Sequence, residues 1–160
     1  MDRLRTTILE REKQLCRDGL ASFQEYFQLT GATITSDGWS DVRRRPLLNL
    51  LVVSPKGEMF LKAVDTGGET KDAAYIAGQL IDCIREVGAD SVIQVVTDSV
   101  AVCKAAGRLV EQEFSWITWT PCTPHCLDLL LEDVGKLPWA VEVVAEGKAV
   151  VKFITNHHRS

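Results

Sequence analysis

Hydrophobic residues recur at two different spacings along the chain, and the spacing changes near residue 31. Over residues 3–29 apolar side chains return every three or four positions between charged ones, which predicts one long or broken amphipathic helix. Three short β-prone runs follow at 33–37, 47–53 and 59–64. Because Pro-Lys-Gly at 55–57 is a strong hairpin signal, we predict three antiparallel strands after the helix.

The second half of the chain alternates helical patterns with compact apolar runs. The first helical pattern has Thr70 as its predicted N-cap and ends at Gly88. The apolar runs at 92–96 and 116–121 predict two more strands, the former buried on both faces. Further helical patterns lie at 100–114, 125–136 and 138–158. Since each βαβ crossover returns the chain parallel to the strand it left, this order predicts an α/β fold with a mixed sheet.

The composition of the 160 residues, 46% hydrophobic and 25% charged, is that of an ordinary globular domain. The formal net charge is −4, so any nucleic-acid contact must be local. No apolar stretch approaches the ~20 residues that span a bilayer, and we expect no membrane association. The five cysteines favour reduced thiols in the cytosol or nucleus. Because the last helical pattern runs almost to Ser160, we expect the sequence to continue in a longer parent protein.

Two aspartates are notable for their positions in this pattern. Asp37 is predicted to close the first strand, and Asp98 the fourth. Carboxylates at the ends of neighbouring strands can converge to hold a hard cation such as Mg²⁺ for phosphoryl transfer. The alternative is structural, because Asp37 precedes Gly38 as a turn residue would and Asp98 could cap the following helix.

Two further clusters have both a chemical and a structural interpretation. Cys122, His125 and Cys126 have zinc-ligand spacing, but the missing fourth ligand disfavours zinc and favours a buried thiol and a hydrogen-bonded imidazole. Arg43, Arg44 and Arg45 form the densest positive patch. These arginines could contact a phosphate backbone near a metal site, or lie in a solvated loop.

Five segments, in order along about four-fifths of the chain, resemble one family. They are TITSDGWSD at 33–41, VVTD at 95–98, KAAG at 104–107, WTPCTPHCL at 119–127 and FITNH at 153–157. Together they resemble the transposase-like domain of unknown function that occurs in hAT-type elements and is widespread in plants.

The resemblance implies an RNase H-like fold, with sheet order 3-2-1-4-5 flanked by helices and preceded by the N-terminal amphipathic helix. It also implies that Asp37 and Asp98 are the first two carboxylates of a DDE-type triad holding Mg²⁺ or Mn²⁺, and that Cys122 and His125 form the family's Cys-x₂-His motif. The implied segments are an N-terminal helical part at 1–31, an incomplete RNase H-like core at 32–137 and the start of a helical insertion at 138–160.

By resemblance the ancestral activity is metal-dependent DNA strand cleavage and transfer, with DNA as partner, a nuclear location and a homodimer formed through a C-terminal region. The third carboxylate, a glutamate, lies downstream in such transposases, so we expect this chain to be inactive. DSVAV at 98–102 also replaces the family's Asp-Asn-Ala-Ala-Asn, and LDL at 127–129 replaces Leu-Asn-Leu. The alternatives are a domesticated, non-catalytic DNA- or protein-interaction module and, less favoured, a zinc-binding adaptor.

Overall fold

The computed structural model describes residues 4–67 and 72–157. A π-helical turn, Leu4–Ile8, continues into the N-terminal helix α1 (Leu9–Thr30), so the predicted helix is confirmed. The strands are β1 (Ala32–Ser40), β2 (Pro46–Ser54), β3 (Gly57–Asp65), β4 (Val92–Thr97) and β5 (Thr118–Pro121). The later helices are α2 (Ala73–Val87), α3 (Ala101–Glu113), α4 (Thr123–Gly135) and α5 (Pro138–His157), with a 3₁₀ turn at Ala89–Ser91.

The five strands form one mixed sheet in the order β3-β2-β1-β4-β5. β2 is antiparallel to both β1 and β3, whereas β4 is parallel to both β1 and β5. The helices α2 and α3 are the crossovers that make the last two strands parallel. This order and these directions confirm the expected RNase H-like fold.

Strand boundaries differ from the predicted ones where long-range pairing decides them. β1 extends to Ser40 because its pairing with β2 continues as far as Ser40 and Pro46. β5 begins at Thr118 rather than at 116, because the Ile117 N–H donates to the Phe114 carbonyl at 3.0 Å and closes a turn. The predicted hairpin between β2 and β3 is confirmed, with Ser54 paired to Gly57.

The core of the sheet lies beneath α2 and α3. These helices contact one another, and both contact strands of the sheet. From α2 the buried residues are Ile76, Ala77, Leu80, Cys83 and Ile84. They pack with alternate residues of the central strands, among them Ile34, Leu50, Val52 and Val95. Residues that recur every three to four positions in the helices therefore pack against residues that recur every two positions in the strands, and together they form one buried layer.

Two local predictions need correction. Asp72 is the N-cap of α2, and its carboxylate accepts the Tyr75 N–H at 2.8 Å; the predicted cap, Thr70, lies outside the described residues. The strand β4 is not buried on both faces, because Ile93 is 52% exposed. The adjacent Val92 and Val95 are fully buried, as predicted.

The chain divides into two compact units, the sheet unit (Met1–Pro121) and the helical unit (Cys122–Ser160). In the helical unit α4 contacts α5, which ends at His157 in the structure; the predicted end at His158 lies outside the described residues. The predicted segments 1–31, 32–137 and 138–160 stay a prediction, although α4 groups with α5 here. No described helix has the length and apolar character needed to cross a membrane.

Candidate functional site

The two candidate aspartates occupy matching positions on neighbouring strands. β1 pairs with β4 through Ile34 and Val95, then through Thr35 and Val96. If this register continued for two residues beyond Thr35 and Val96, Asp37 would lie opposite Asp98. The sheet order therefore places β1 beside β4, and the convergence of the two carboxylates stays a prediction.

Asp37 lies within β1 rather than at its end. It pairs with Asn49 of β2, and its side chain is exposed. Since successive residues of a strand point to opposite faces, Asp37 shares a face with Thr35, whereas the buried Ser36 points into the core. The prediction that Asp37 closes the strand is wrong, because pairing with β2 extends β1 beyond it.

Asp98 follows directly after β4 and is half-buried. It lines a mostly apolar cavity of about 170 Å³ in the sheet unit, together with Ser36 and Gly38 of β1, Tyr75 of α2 and Cys103 of α3. Asp98 does not cap α3, whose N-cap is Val100 without a side-chain hydrogen bond. The cavity thus includes Asp98 but not Asp37.

Hydrogen bonds fix the backbone beside Asp98. The buried Thr97 hydroxyl accepts the Trp119 indole N–H at 2.9 Å and donates to the Asp98 carbonyl at 3.0 Å. Burial raises the pKa of the Cys103 thiol, and the nearby Asp98 charge raises it further, while a hydrogen bond with Thr97 opposes both. Thr97, Trp119 and Cys103 therefore support the site, a role that the sequence pattern does not reveal.

Each aspartate carries a donor type that suits a hard cation, but strand alternation turns Asp37 away from the face on which Asp98 lines the cavity with Ser36 and Gly38. Carboxylate oxygens are ligands that Mg²⁺ prefers, and Mg²⁺ is commonly bound by one or two of them together with water and phosphate oxygens. Within residues 4–67 and 72–157, neither Asp37 nor Asp98 forms an ion pair with a basic side chain. In the same residues no three His, Cys, Asp or Glu side chains are grouped closely enough to hold a metal.

The three arginines lie in the tight connection from β1 to β2 and are not equivalent. The Arg45 Nε donates to Asp41 Oδ2 at 2.8 Å, and its Nη1 lies 3.9 Å from Asp65 Oδ2. Hydrogen bonds from Arg45, its backbone N–H first, hold the pKa of Asp41 below its ordinary value. Arg43 and Arg44 are exposed, and no acidic partner of either is found in the described part of the chain.

The Cys-x₂-His motif lies in the helical unit. Cys122 is the N-cap of α4, and His125 and Cys126 lie in its first turn; all three are half-buried. Pro124 near the start of α4 suits a helix N-terminus, since its missing N–H would have no partner there. The roles of Cys122 and His125 stay predictions.

Comparison with known proteins identifies a family that this chain matches and solved structures that it resembles. Residues 1–150 match the family model described as "Domain of unknown function (DUF659)". This family occurs in transposase-like proteins. No curated protein matches the chain.

Among solved structures, one similar chain is the catalytic domain of Mos1 mariner transposase. It is 16% identical, and the alignment covers 86% of this chain and 78% of that chain with a TM-score of 0.34. We rest the fold assignment on the strand order and directions rather than on this likeness.

Proposed function

Because the chain belongs to the DUF659 family, we propose that it forms the RNase H-like part of an hAT-type transposase, or of a protein derived from one. The proposed ancestral activity is metal-dependent cleavage and transfer of DNA strands. The observation that supports it most directly is that β1, which carries Asp37, pairs in parallel with β4, which Asp98 follows directly. We further propose a nuclear location, DNA as the partner and homodimerisation in the full-length protein.

In this proposal Asp37 and Asp98 hold Mg²⁺ or Mn²⁺. When bound, the ion would act as a Lewis acid on a phosphodiester oxygen. The chain contributes the placement of two carboxylates: pairing of β1 with β2 fixes Asp37, and the Thr97 hydrogen bonds fix the backbone at Asp98. Two carboxylates are fewer than the three of a DDE triad, so we expect the 160-residue chain not to cleave DNA by itself.

Titration of the isotopically labelled chain with Mn²⁺ tests the acidic pair. Bound Mn²⁺ broadens nearby backbone amide signals in the NMR spectrum. We expect joint broadening around residues 37 and 98, abolished by Asp37→Asn and unchanged by Asp90→Asn, which removes another exposed carboxylate of the sheet unit. Broadening that survives Asp37→Asn would contradict a shared site.

A nicking assay on supercoiled DNA tests the expected inactivity. We expect no cleavage above background with Mg²⁺ or Mn²⁺. Metal-dependent nicking that is lost in both Asp37→Asn and Asp98→Asn would contradict the inactivity while supporting the metal site.

A second candidate is a non-catalytic module that binds DNA or protein. It is favoured by the surroundings of Asp98, which lines a mostly apolar cavity beside Val100. A site that has lost its polar neighbours is poorly suited to orienting a metal carboxylate, since such neighbours fix the ligands in place. If Mn²⁺ broadens no amides around residues 37 and 98 but the chain still binds DNA, this second candidate replaces the first.

A further inference from the structure

The tight connection between β1 and β2 is built around one carboxylate. Asp41 Oδ1 accepts the backbone N–H groups of Arg43 and Arg45, each at 2.8 Å, and Asp41 Oδ2 accepts the Arg45 Nε. Two backbone bonds close the turn: Asp41 N–H to the Arg45 carbonyl, and Arg44 N–H to the Asp41 carbonyl. The three residues enclosed by these bonds, 42–44, are therefore held in one conformation and form what we call the basic tip.

The basic tip exposes an aliphatic side chain between charged neighbours. Val42 is 100% exposed, more than any other large hydrophobic residue of the described chain. The exposed Arg43 and Arg44 follow it, and Arg44 has φ of 60°, a left-handed conformation that is uncommon for a residue with a side chain. Strained backbone of this kind persists only where its surroundings enforce it, and here the Asp41 bonds do so.

The charges around the basic tip leave its two guanidinium groups available. Asp41, the nearest carboxylate along the chain, is engaged by Arg45, which also approaches Asp65. The chain as a whole has a net charge of −4, so attraction of a polyanion must be local, and this pair of arginines supplies a local positive charge. Guanidinium binds phosphate oxygens with two parallel hydrogen bonds, which fixes orientation as well as affinity.

We propose that the basic tip docks in the minor groove of duplex DNA, with Arg43 and Arg44 on backbone phosphates and Val42 against the sugar and base edges. The choice of DNA rests on the proposed function. Proteins that bind this groove use basic and amide side chains and frequently insert an apolar side chain between base steps. The tip presents two arginines beside one exposed aliphatic side chain. Arg45 is excluded from the contact because it holds the turn together.

An anionic membrane is the other polyanionic surface that such a tip could meet. Near a charged bilayer two arginines contribute only weak attraction, and one valine buries little apolar surface in the membrane. Stable membrane binding needs a larger apolar face or a cluster of several basic residues, and the tip has neither. DNA is therefore the favoured partner, and vesicles become one arm of the test.

Anisotropy titrations of a labelled A·T-rich duplex with the 160-residue chain, at several salt concentrations, test the phosphate contacts. In a plot of log affinity against log salt, the magnitude of the slope should fall by about 0.9 for each phosphate that the chain no longer neutralises. We thus expect a decrease of about 1.8 for the double variant Arg43→Ala and Arg44→Ala. The matched control Arg108→Ala, which removes an exposed arginine from α3, should leave the slope unchanged.

The wedge is tested separately with Val42→Ser. Removing the apolar side chain should weaken duplex binding by about fivefold without changing the salt slope. If the wedge opens a base step, energy transfer between dyes at the two DNA ends should also report less bending in this variant. Thermal melting of each variant shows that the fold is intact.

Three outcomes would overturn the inference: tip variants that bind duplex as the unchanged chain does, an equal loss in Arg108→Ala, or tip-dependent binding to phosphatidylserine vesicles in place of DNA. These readouts are independent of the Mn²⁺ titration. If the tip variants bind duplex normally but the Mn²⁺ titration shows the metal site, the proposed function stands without this inference. If the tip binds DNA but no metal site is found, the result supports the non-catalytic module.

Discussion

The sheet unit and the helical unit contain similar apolar residues but use them differently. In the sheet unit α2 buries five residues against the strands. In the helical unit α4 buries none, and the buried residue of α5 among those described is Ala140. Large side chains along both helices, including Leu130, Leu131, Val151 and Phe153, remain exposed. An apolar pattern with helical spacing therefore predicts that a helix forms, but not that its apolar side chains are buried.

This difference has an energetic meaning. The hydrophobic effect stabilises a fold in proportion to the apolar surface removed from water, at roughly 25 cal/mol per Å². A helix pair with little burial gains little from this term and depends on its own backbone hydrogen bonds. We therefore expect the sheet unit to determine the stability of the chain, and matched changes in the two units test that expectation.

The largest expected difference comes from the same substitution in two helices. Leu80 in α2 is 0% exposed, and Leu131 in α4 is 66% exposed. Leu80→Ala should lower the free energy of unfolding by about 3 kcal/mol, because it leaves a cavity in the core. Leu131→Ala should change it by less than about 0.5 kcal/mol. Urea denaturation followed by circular dichroism measures both; equal losses would mean that α4 has a core of its own.

Replacing a helical glycine with alanine should change stability in opposite directions in the two units. A Cβ at Gly107 in α3 would overlap the Trp119 indole, so Gly107→Ala should destabilise the chain by about 1–3 kcal/mol. At Gly147 in α5 a Cβ meets no atom within 4 Å. Gly147→Ala should stabilise α5 by about 0.5–1 kcal/mol, since alanine is the better helix former. Thermal melts of both variants decide the signs, and a destabilising Gly147→Ala would refute the open surroundings.

The elements of the fold were predictable where their signals are local. The Pro-Lys-Gly turn and the β-prone runs on either side of it predict a hairpin from neighbours in sequence, and the apolar residues of α2 recur within one helix. Features that depend on distant partners were missed. Ser40 belongs to β1 only because Pro46 pairs with it, and Ile93 is exposed although its run looks like a buried strand.

The candidate site follows the same division. The place of Asp98 directly after β4 and the position of β1 beside β4 were predictable, whereas Asp37 lies within β1 rather than at its end. The roles of both aspartates stay predictions. The groups around Asp98 were not identifiable, because Tyr75 comes from another crossover helix and Trp119 from a later strand. The arginine triplet likewise looked uniform until the ion pair of Arg45 with Asp41 distinguished it from its two neighbours.

The cysteines of the two units should also differ in their reactivity. Burial raises the pKa of Cys83 in α2 from 9.0 to about 11, whereas Cys122 and Cys126 in the helical unit are half-buried. With a thiol reagent at pH 8, we expect Cys122 and Cys126 to react in the folded chain and Cys83 only on unfolding. Mass spectrometry of the labelled peptides assigns each site. Early labelling of Cys83 would show that α2 opens readily.

The raised pKa of the Cys83 thiol predicts that the stability of the chain depends on pH. Below pH 9 Cys83 is protonated in both the folded and the unfolded chain, so its contribution is constant. Between pH 9 and about 11 the unfolded thiol ionises while the buried one does not, so stability should fall as pH rises. Cys83→Ala removes this slope, whereas Cys126→Ala should leave it in place. Denaturation midpoints measured across this range test the difference.

The smallest expected difference concerns surface ion pairs. Arg85 Nη2 lies 2.7 Å from Glu113 Oε1 and joins α2 to α3 across the sheet unit. In the helical unit the pair of Lys136 with Glu132 forms at the end of α4. A double-mutant cycle on Arg85 and Glu113 should give a coupling of about 0.2–1 kcal/mol, because both side chains are exposed.

The corresponding cycle on Lys136 and Glu132 should show no coupling in the unfolding of the sheet unit, because that pair joins α4 to its own C-cap within the helical unit. High salt should reduce the Arg85–Glu113 coupling, since exposed charges are screened. A Lys136–Glu132 coupling as large as that of Arg85 and Glu113, measured on the sheet-unit transition, would mean that the two units unfold together. In that case the apolar side chains of α4 and α5 would contribute to the same cooperative unfolding transition as the sheet unit. The two units would then differ only in how much of their apolar surface is buried.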